Sequence, residues 1–126
     1  MIGVLDTSVV LATDVPPLSG ELAISAATLA ELHFGVLVAN IPAIRAERLR
    51  RLALVERSFE PLPVDAAVAR SYGLLAAAVA GSGPSPRSRI MDLLIAATAH
   101  AHGARLYTRN PADLRGLENM LEVVET

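Results

Sequence analysis

The sequence predicts an α/β protein, a three-layer sandwich in which a central, mostly parallel sheet is flanked by helices. Short apolar segments, each the length of a buried strand, alternate with longer segments of helical periodicity. Hydrophobic residues make up 52% of the 126 residues and aromatic residues only 3%, so a core of Leu, Val, Ile and Ala is expected. The length suits one domain covering 1–126.

The first half of the chain begins with an apolar run that ends at Asp6, which is typical of a strand buried on both faces. A pair of prolines and a glycine interrupt the chain before the next apolar run. The predicted elements, in order, are a strand at 2–5, a short helix at 9–11 capped by Thr7 or Ser8, a loop at 14–20, a strand at 22–24, and a helix at 26–39 capped by Ser25.

The second half opens with an amphipathic segment. Ile44, Leu49, Leu52 and Val55 form an apolar stripe at helical spacing, and arginines occupy the remaining positions. The predicted elements are a helix at 43–58, a short strand at 62–64, a helix at 66–80 capped by Asp65, a loop at 81–86, a helix at 87–102, a strand at 105–107, a turn at 108–111 and a last strand at 121–124.

Composition excludes several kinds of chemistry. The chain has no cysteine, which excludes disulfides, thiolate metal sites and thiol nucleophiles. All 11 basic residues are arginine. The simplest interpretation is a GC-rich genome, but the absence of lysine still excludes reactions that require it. The net charge of −2 indicates no overall attraction to nucleic acid, so any such attraction would depend on local arginines.

Nothing in the sequence indicates export or a membrane. Residues 1–5 lack the basic region of a signal peptide. No apolar run approaches the roughly 18 residues that span a bilayer. A soluble, cytoplasmic protein is therefore expected.

The most informative residues are acidic. Asp6 follows the first strand, and Asp113 follows the strand at 105–107 and its turn, while Glu31 and Asp92 lie on helices that can flank the same edge. Ligands of open parallel sheets gather beyond the carboxyl ends of the strands, so these side chains are expected to converge. Clustered carboxylates repel one another unless a cation is present, and oxygen ligands suit Mg²⁺ or Mn²⁺ better than zinc. Such an ion can orient a water and stabilise charge on a phosphodiester.

Each acid also has a purely structural interpretation. Asp6 can cap the helix that follows it, Glu31 can face solvent, Asp92 can pair with Arg89 one turn earlier, and Asp113 can cap a turn. For Asp65, which stands where a helix N-cap is needed, the structural interpretation is preferred.

Other hydrolytic classes fit less well. A phosphatase with an aspartyl nucleophile would need a second Asp where this chain has Ser8, and also a lysine; a receiver domain needs a lysine too. The Gly-Lys-Ser/Thr of a P-loop is absent. A zinc site would rely on His33, His100 and His102, the last two of which face different sides of a helix.

Four segments resemble, in order, the motifs of PIN-domain ribonucleases. The chain is similar in length and motif order to VapC-type toxins of bacterial toxin–antitoxin pairs, and the resemblance runs from Met1 to about Val124. Any one motif is weak, but their order in a chain of this size is specific. The segments are LDTSV at 5–9, SAATLAELHFG at 25–35, DLLIAATA at 92–99 and TRNPADL at 108–114.

The resemblance implies a PIN-like sandwich and Mg²⁺- or Mn²⁺-dependent hydrolysis of RNA phosphodiester bonds. It implies that Asp6, Glu31, Asp92 and Asp113 form an acidic catalytic pocket. In our hypothesis Asp6, Asp92 and Asp113 hold the metal ion directly or through water, and Glu31 holds a second ion or orients the attacking water. Supporting polar residues are expected at Thr7, Ser8, Thr108 and Asn110, and the candidates for binding RNA phosphates are Arg87, Arg89 and Arg109, for which the alternative is ordinary surface arginine.

The resemblance also implies a homodimer and a cognate VapB-type antitoxin that covers the pocket. A partner surface is predicted on the helix pair at 26–58, around Leu29, Leu32, Phe34 and 36–38, because these apolar residues exceed what one small sheet needs. The main alternative is a catalytically silent PIN-fold module that binds RNA or protein without cutting. The presence of every expected acid argues against it.

Overall fold

The computed structural model of the protein describes residues 1–81 and 89–126. Within these residues the chain forms a sheet of four parallel strands in the order β2-β1-β3-β4, with helices between them. The strands are β1 Ile2–Leu5, β2 Glu21–Ile24, β3 Arg105–Thr108 and β4 Val123–Glu125. The helices are α1 Thr7–Leu11, α2 Ala26–Val38, α3 Pro42–Ser58, α4 Ala66–Val79 and α5 Ile90–Ala101, followed by a 3₁₀ turn at Pro111–Leu114.

Two apolar cores, one on each face of the sheet, confirm the predicted sandwich. Val4 and Leu106 point to one face and pack with α4 and α5. Leu5 and Tyr107, the next residues along the same two strands, point to the other face and pack with α1, α2 and α3. This alternation is the period of two that a strand imposes. In the described part of the chain, none of the helices is both long and apolar enough to cross a membrane.

Helix α1 begins two residues earlier than predicted, and its cap is Asp6 rather than Thr7 or Ser8. Asp6 has extended backbone angles, and its Oδ1 accepts a hydrogen bond of 3.2 Å from the Val9 amide. The carboxylate therefore satisfies a free amide at the start of the helix, as N-cap residues do. Asp6 therefore caps α1, as its structural interpretation from the sequence suggested. The cap hydrogen bond also fixes the orientation of the Asp6 carboxylate.

The predicted strand at 62–64 is wrong. Leu62 forms only an isolated parallel bridge with Ser25, through bonds from its amide to Ile24 and from the Ala26 amide to its carbonyl. The prolines at 61 and 63 have no amide hydrogen, so a longer ladder cannot form.

The remaining differences lie in the C-terminal half. The last strand begins at Val123 instead of 121, because the Leu121 amide donates to the Leu117 carbonyl in a turn and is not available to the sheet. The described part of the helix expected at 87–102 is α5, which begins at Ile90. The start expected at 87 and all but the first residue of the loop expected at 81–86 lie outside the described residues.

Helices α2 and α3 form a hairpin whose far end projects from the body. Side chains of α3 hold this end together: Arg45 donates to the carbonyls of Leu37 and Ala39, and Arg48 to that of Gly35. These arginines satisfy carbonyl groups that the end of α2 leaves unpaired.

The apolar stripe predicted along α3 is only half buried. Leu52 and Val55 belong to the core, whereas Ile44 and Leu49 are exposed. Residues 42–50, which form the first half of α3, are all exposed, so no neighbouring layer covers these side chains.

Asp65 caps α4 as predicted, with Oδ1 accepting a 3.1 Å hydrogen bond from the Val68 amide. We expect Asp65→Ala to lower the free energy of unfolding by about 1 kcal/mol, since an N-cap contributes roughly that much. Urea unfolding would measure the loss, and stability equal to wild type would contradict it.

Candidate active site

The carboxyl ends of β1 and β3 are neighbours in the sheet, and a small pocket opens beyond them. Its volume is about 80 Å³. Chain segments far apart in sequence contribute to its wall, as expected for the carboxyl edge of a parallel sheet. The lining residues are Asp6, Thr7, Ser8, Glu31, Asp92, Leu106, Asn110, Asp113 and Leu114. The structure thus brings together all four predicted acids.

Asp6 is positioned from two sides. In addition to the Val9 amide, the Ser8 hydroxyl donates to Oδ1 of Asp6. Ser8 in turn accepts a 3.1 Å bond from the Arg109 amide, which follows β3. Ser8 therefore links the end of β3 to the carboxylate at the end of β1. The second oxygen of Asp6 has no donor among the described residues and remains open to a ligand.

Glu31 is held by Thr7, which also contacts Thr28. Thr7 Oγ1 lies 2.6 Å from Glu31 Oε1 and 3.1 Å from Thr28 Oγ1. Thr28 and Glu31 lie one turn apart on α2, so they present their side chains on one face of the helix. Glu31 is half-buried, and Thr28 is completely buried.

Asp92 stands on the first turn of α5 and is exposed at the mouth of the pocket. Partial desolvation raises the pKa of its carboxyl group, and repulsion from Glu31, Asp113 and Asp6 raises this pKa further. The positive charge of Arg89 lowers the pKa of Asp92 in part, against these two effects. In the described residues, Asp92 makes no hydrogen bond and no ion pair within 4 Å, so the pairing with Arg89 considered from the sequence does not form.

Asp113 lies in the 3₁₀ turn after β3, and its side chain is exposed. The Arg89 guanidinium donates to the main-chain carbonyl of Asp113 and ties this turn to the start of α5. Thr108 is buried; its hydroxyl accepts a 3.0 Å bond from the Asn110 amide and shapes the turn without lining the pocket.

Of the three arginines predicted to contact RNA, two bind other protein groups and the third lies outside the described residues. Arg109 forms an ion pair with Asp14 in the loop before β2. Arg89 binds the Asp113 carbonyl, as described above. Arg87 lies outside the described residues. Both described arginines hold protein segments in place, a role that the sequence analysis did not assign to them.

The donor set of this pocket consists of carboxylate, hydroxyl and amide oxygens, which suit a hard divalent cation. In residues 1–81 and 89–126, no three acidic or histidine side chains converge tightly enough to form a complete ligand cage. The residues therefore fit an ion that is bound by one or two carboxylates and keeps several waters, as Mg²⁺ commonly does. The mutual repulsion at Asp92 shows that a positive charge here would stabilise the acids.

Sequence reasoning missed Thr28 and Asp14. Thr28 could have been identified from the sequence, because a hydroxyl three residues before Glu31 on a helix faces the same direction as Glu31. Asp14 could not have been identified, because its partner Arg109 is 95 residues away in the chain.

A model of the PIN domain family matches residues 3–115. The chain is 42% identical over 114 residues to Ribonuclease VapC5 of Mycobacterium tuberculosis, which covers 86% of this chain and 82% of the relative. It is 41% identical over 90 residues to Ribonuclease VapC4 of the same organism, covering 71% of this chain and 67% of the relative. The crystal structure of VapBC-5, a member of the VapBC family of toxin–antitoxin systems from M. tuberculosis, superposes with a TM-score of 0.83 at 39% identity, covering 98% of this chain and 96% of that chain.

Proposed function

This chain belongs to the PIN-domain family, and from that premise we propose that it is a VapC-type toxin, a metal-dependent endoribonuclease neutralised by a cognate VapB-type antitoxin. The observation that carries the proposal is the pocket in which Asp6, Glu31, Asp92 and Asp113 meet at the carboxyl edge of the sheet. The match to the PIN domain family spans residues 3–115, which include all four acids, and the similarity to VapC5 covers 86% of the chain.

The reaction is hydrolysis of an RNA phosphodiester bond, in which water adds to phosphorus and one ester oxygen leaves. Asp6, Asp92 and Asp113 would hold Mg²⁺ or Mn²⁺ directly or through water. When bound, the ion would supply positive charge that stabilises the phosphoryl oxygens and activates water. Glu31, fixed by Thr7, would orient the attacking water, or hold a second ion.

RNA would approach across the exposed side of the pocket, where Asp92, Asn110 and Asp113 reach solvent. The RNA-binding role of Arg87, Arg89 and Arg109 stays a prediction. For Arg89 and Arg109, phosphate binding would compete with the contacts to Asp113 and Asp14. A substrate of cellular RNA agrees with the cytoplasmic location expected from the sequence.

The projecting end of the α2–α3 hairpin supports the proposed protein partners, the antitoxin and a second copy of the chain. Of the residues predicted for this surface, Phe34 is 67% exposed, and Leu37 and Val38 are also largely exposed. Leu32 and Val36 are buried in the core instead, so the predicted surface is narrower than expected. Large apolar side chains clustered on a surface commonly mark a protein interface.

The proposal is tested by incubating total cellular RNA with purified, antitoxin-free protein and Mg²⁺ or Mn²⁺. We expect discrete fragments that disappear when EDTA removes the metal, because none of the described residues that line the pocket is basic and could replace its charge. Mapping the fragment ends would identify the sequence or structure that is cut. If the folded protein cleaves no RNA with either metal, the proposed ribonuclease activity is contradicted. That result would favour the catalytically silent binding module.

A further inference from the structure

We propose that Thr28 is a positioning residue for the reaction and that it acts on Glu31 through the hydroxyl of Thr7. The inference rests on the proposed ribonuclease function, but it concerns a residue that does not line the pocket. Thr28 is completely buried, and its Oγ1 lies 3.1 Å from Thr7 Oγ1, which lies 2.6 Å from Glu31 Oε1. The three side chains form a chain of contacts that leads from the core to the pocket.

The Thr7 hydroxyl is the donor in both contacts, to Glu31 Oε1 and to Thr28 Oγ1. Both acceptors lie on one face of α2, so the Thr7 side chain is anchored to this helix at two points. The Thr28 hydroxyl oxygen, which accepts from Thr7, fixes the rotamer of Thr7 in which its hydroxyl lies beside Glu31 Oε1.

The geometry also restrains Glu31 mechanically. Thr28 and Glu31 are on neighbouring turns of α2, and Thr7 is the first residue of α1, directly after Asp6. Thr7 is therefore held between two points of one helix face, which sets the spacing between Asp6 and Glu31. Hydrogen bonds that orient the groups of a metal site commonly change activity by about 10- to 100-fold when they are removed.

The test uses Thr28→Val, which keeps the shape and the β-branch but removes the hydroxyl. On a fluorogenic RNA oligonucleotide that contains a site mapped on total RNA, we expect kcat to fall about tenfold or more with KM nearly unchanged. Thr28→Ser should restore most of the rate because it returns the hydroxyl oxygen that accepts from Thr7. An unchanged kcat, or a change confined to KM, would overturn the proposal.

The matched control is Thr98→Val. Thr98 is also a completely buried threonine on a helix, but its hydroxyl bonds Ser25 and the Leu94 carbonyl, away from the pocket. We expect this variant to lose stability in a thermal melt without loss of kcat. Equal losses of kcat in Thr98→Val and Thr28→Val would mean that general destabilisation explains both.

A double-mutant cycle tests the route through Thr7. If Thr28 acts only through Thr7, then Thr7→Val together with Thr28→Val should be no slower than Thr7→Val alone. Losses that multiply would contradict this route. The carboxyl-carbon NMR signal of Glu31 provides a readout without catalysis: it should move in Thr28→Val and stay in place in Thr98→Val. If the wild type cleaves no RNA, the proposed function fails, and this signal still decides whether Thr28 positions Glu31.

Discussion

Asp92→Asn is expected to lower the rate of RNA cleavage by more than about a hundredfold, which is beyond the usual effect of residues that only support a metal site. The substitution keeps the size of the side chain but removes a charge that the proposed cation needs. Asp92 has no hydrogen bond or ion pair within the described residues, so its carboxylate stabilises the fold only through its place on the first turn of α5, a small effect at an exposed position. The loss should therefore appear in activity and not in folding.

The same substitution is expected to raise the melting temperature of the metal-free protein. The pKa of Asp92 is raised above its ordinary value of 3.8 by partial desolvation and by repulsion from Glu31, Asp113 and Asp6. A carboxyl group with a raised pKa binds its proton more tightly in the folded state, so stability falls as pH rises from about 3.8 through the raised pKa. Above that pH range the charged carboxylate destabilises the folded state by its full amount, and the uncharged Asn side chain removes this destabilisation. Solvent screens part of the repulsion at this exposed site, so the increase should be modest.

Cleavage assays and thermal melts with and without Mn²⁺ measure both effects. Binding of Mn²⁺ to the folded state should raise the wild-type melting temperature and should raise that of Asp92→Asn less. Asp65→Asn is the matched control, since it makes the same chemical change at a helix cap, where Asn serves as well as Asp. Cleavage by Asp92→Asn at the wild-type rate, or a lower melting temperature without metal, would contradict this account of the pocket.

Gly3→Ala is expected to destabilise the protein by about 1–3 kcal/mol, the usual cost of overpacking a core. Gly3 is buried in β1, and an added Cβ would lie 2.5 Å from Cε2 of Tyr107 and 3.1 Å from its Cδ2. The ring cannot move aside easily, because it is 3% exposed and its hydroxyl donates a 2.9 Å bond to the Ser19 carbonyl. β1 would have to shift, and it carries Asp6 at its end.

Urea unfolding measures this loss, and Gly73→Ala is its control. Gly73 lies inside α4, and a Cβ added there meets nothing within 4 Å. Alanine is favoured over glycine in a helix by up to about 1 kcal/mol, so Gly73→Ala should stabilise the protein. Stability of Gly3→Ala equal to wild type would mean that the contact between β1 and Tyr107 adapts without cost.

Much of the fold was readable in the sequence because it depends on local periodicity and on caps. The apolar run at 2–5 and the helix that follows Ser25 were predicted within a residue of their bounds, as was the cap at Asp65. The predicted strands were wrong where neighbouring residues determine whether the backbone can pair with the sheet. Leu62 lies between prolines that prevent a ladder, and the Leu121 amide donates to the Leu117 carbonyl in a turn instead of joining β4.

The acids of the candidate site were also identified from the sequence, because a carboxylate after a buried strand or within an apolar helix is conspicuous. Their convergence could be expected from the parallel sheet, which places the ends of β1 and β3 side by side. Whether they catalyse RNA cleavage remains the prediction that the experiments above test.

The sequence by itself determined the class of fold, the acids available and the absence of cysteine and lysine chemistry. Only the tertiary structure decided how these acids are held: Glu31 by Thr7, Asp6 by Ser8, and the Asp113 turn by Arg89. The physical reason is that hydrogen bonds and ion pairs join whichever groups the packed helices and strands bring within about 3 Å. Thr7 and Glu31 are 24 residues apart in the chain, a separation that leaves no local pattern to read.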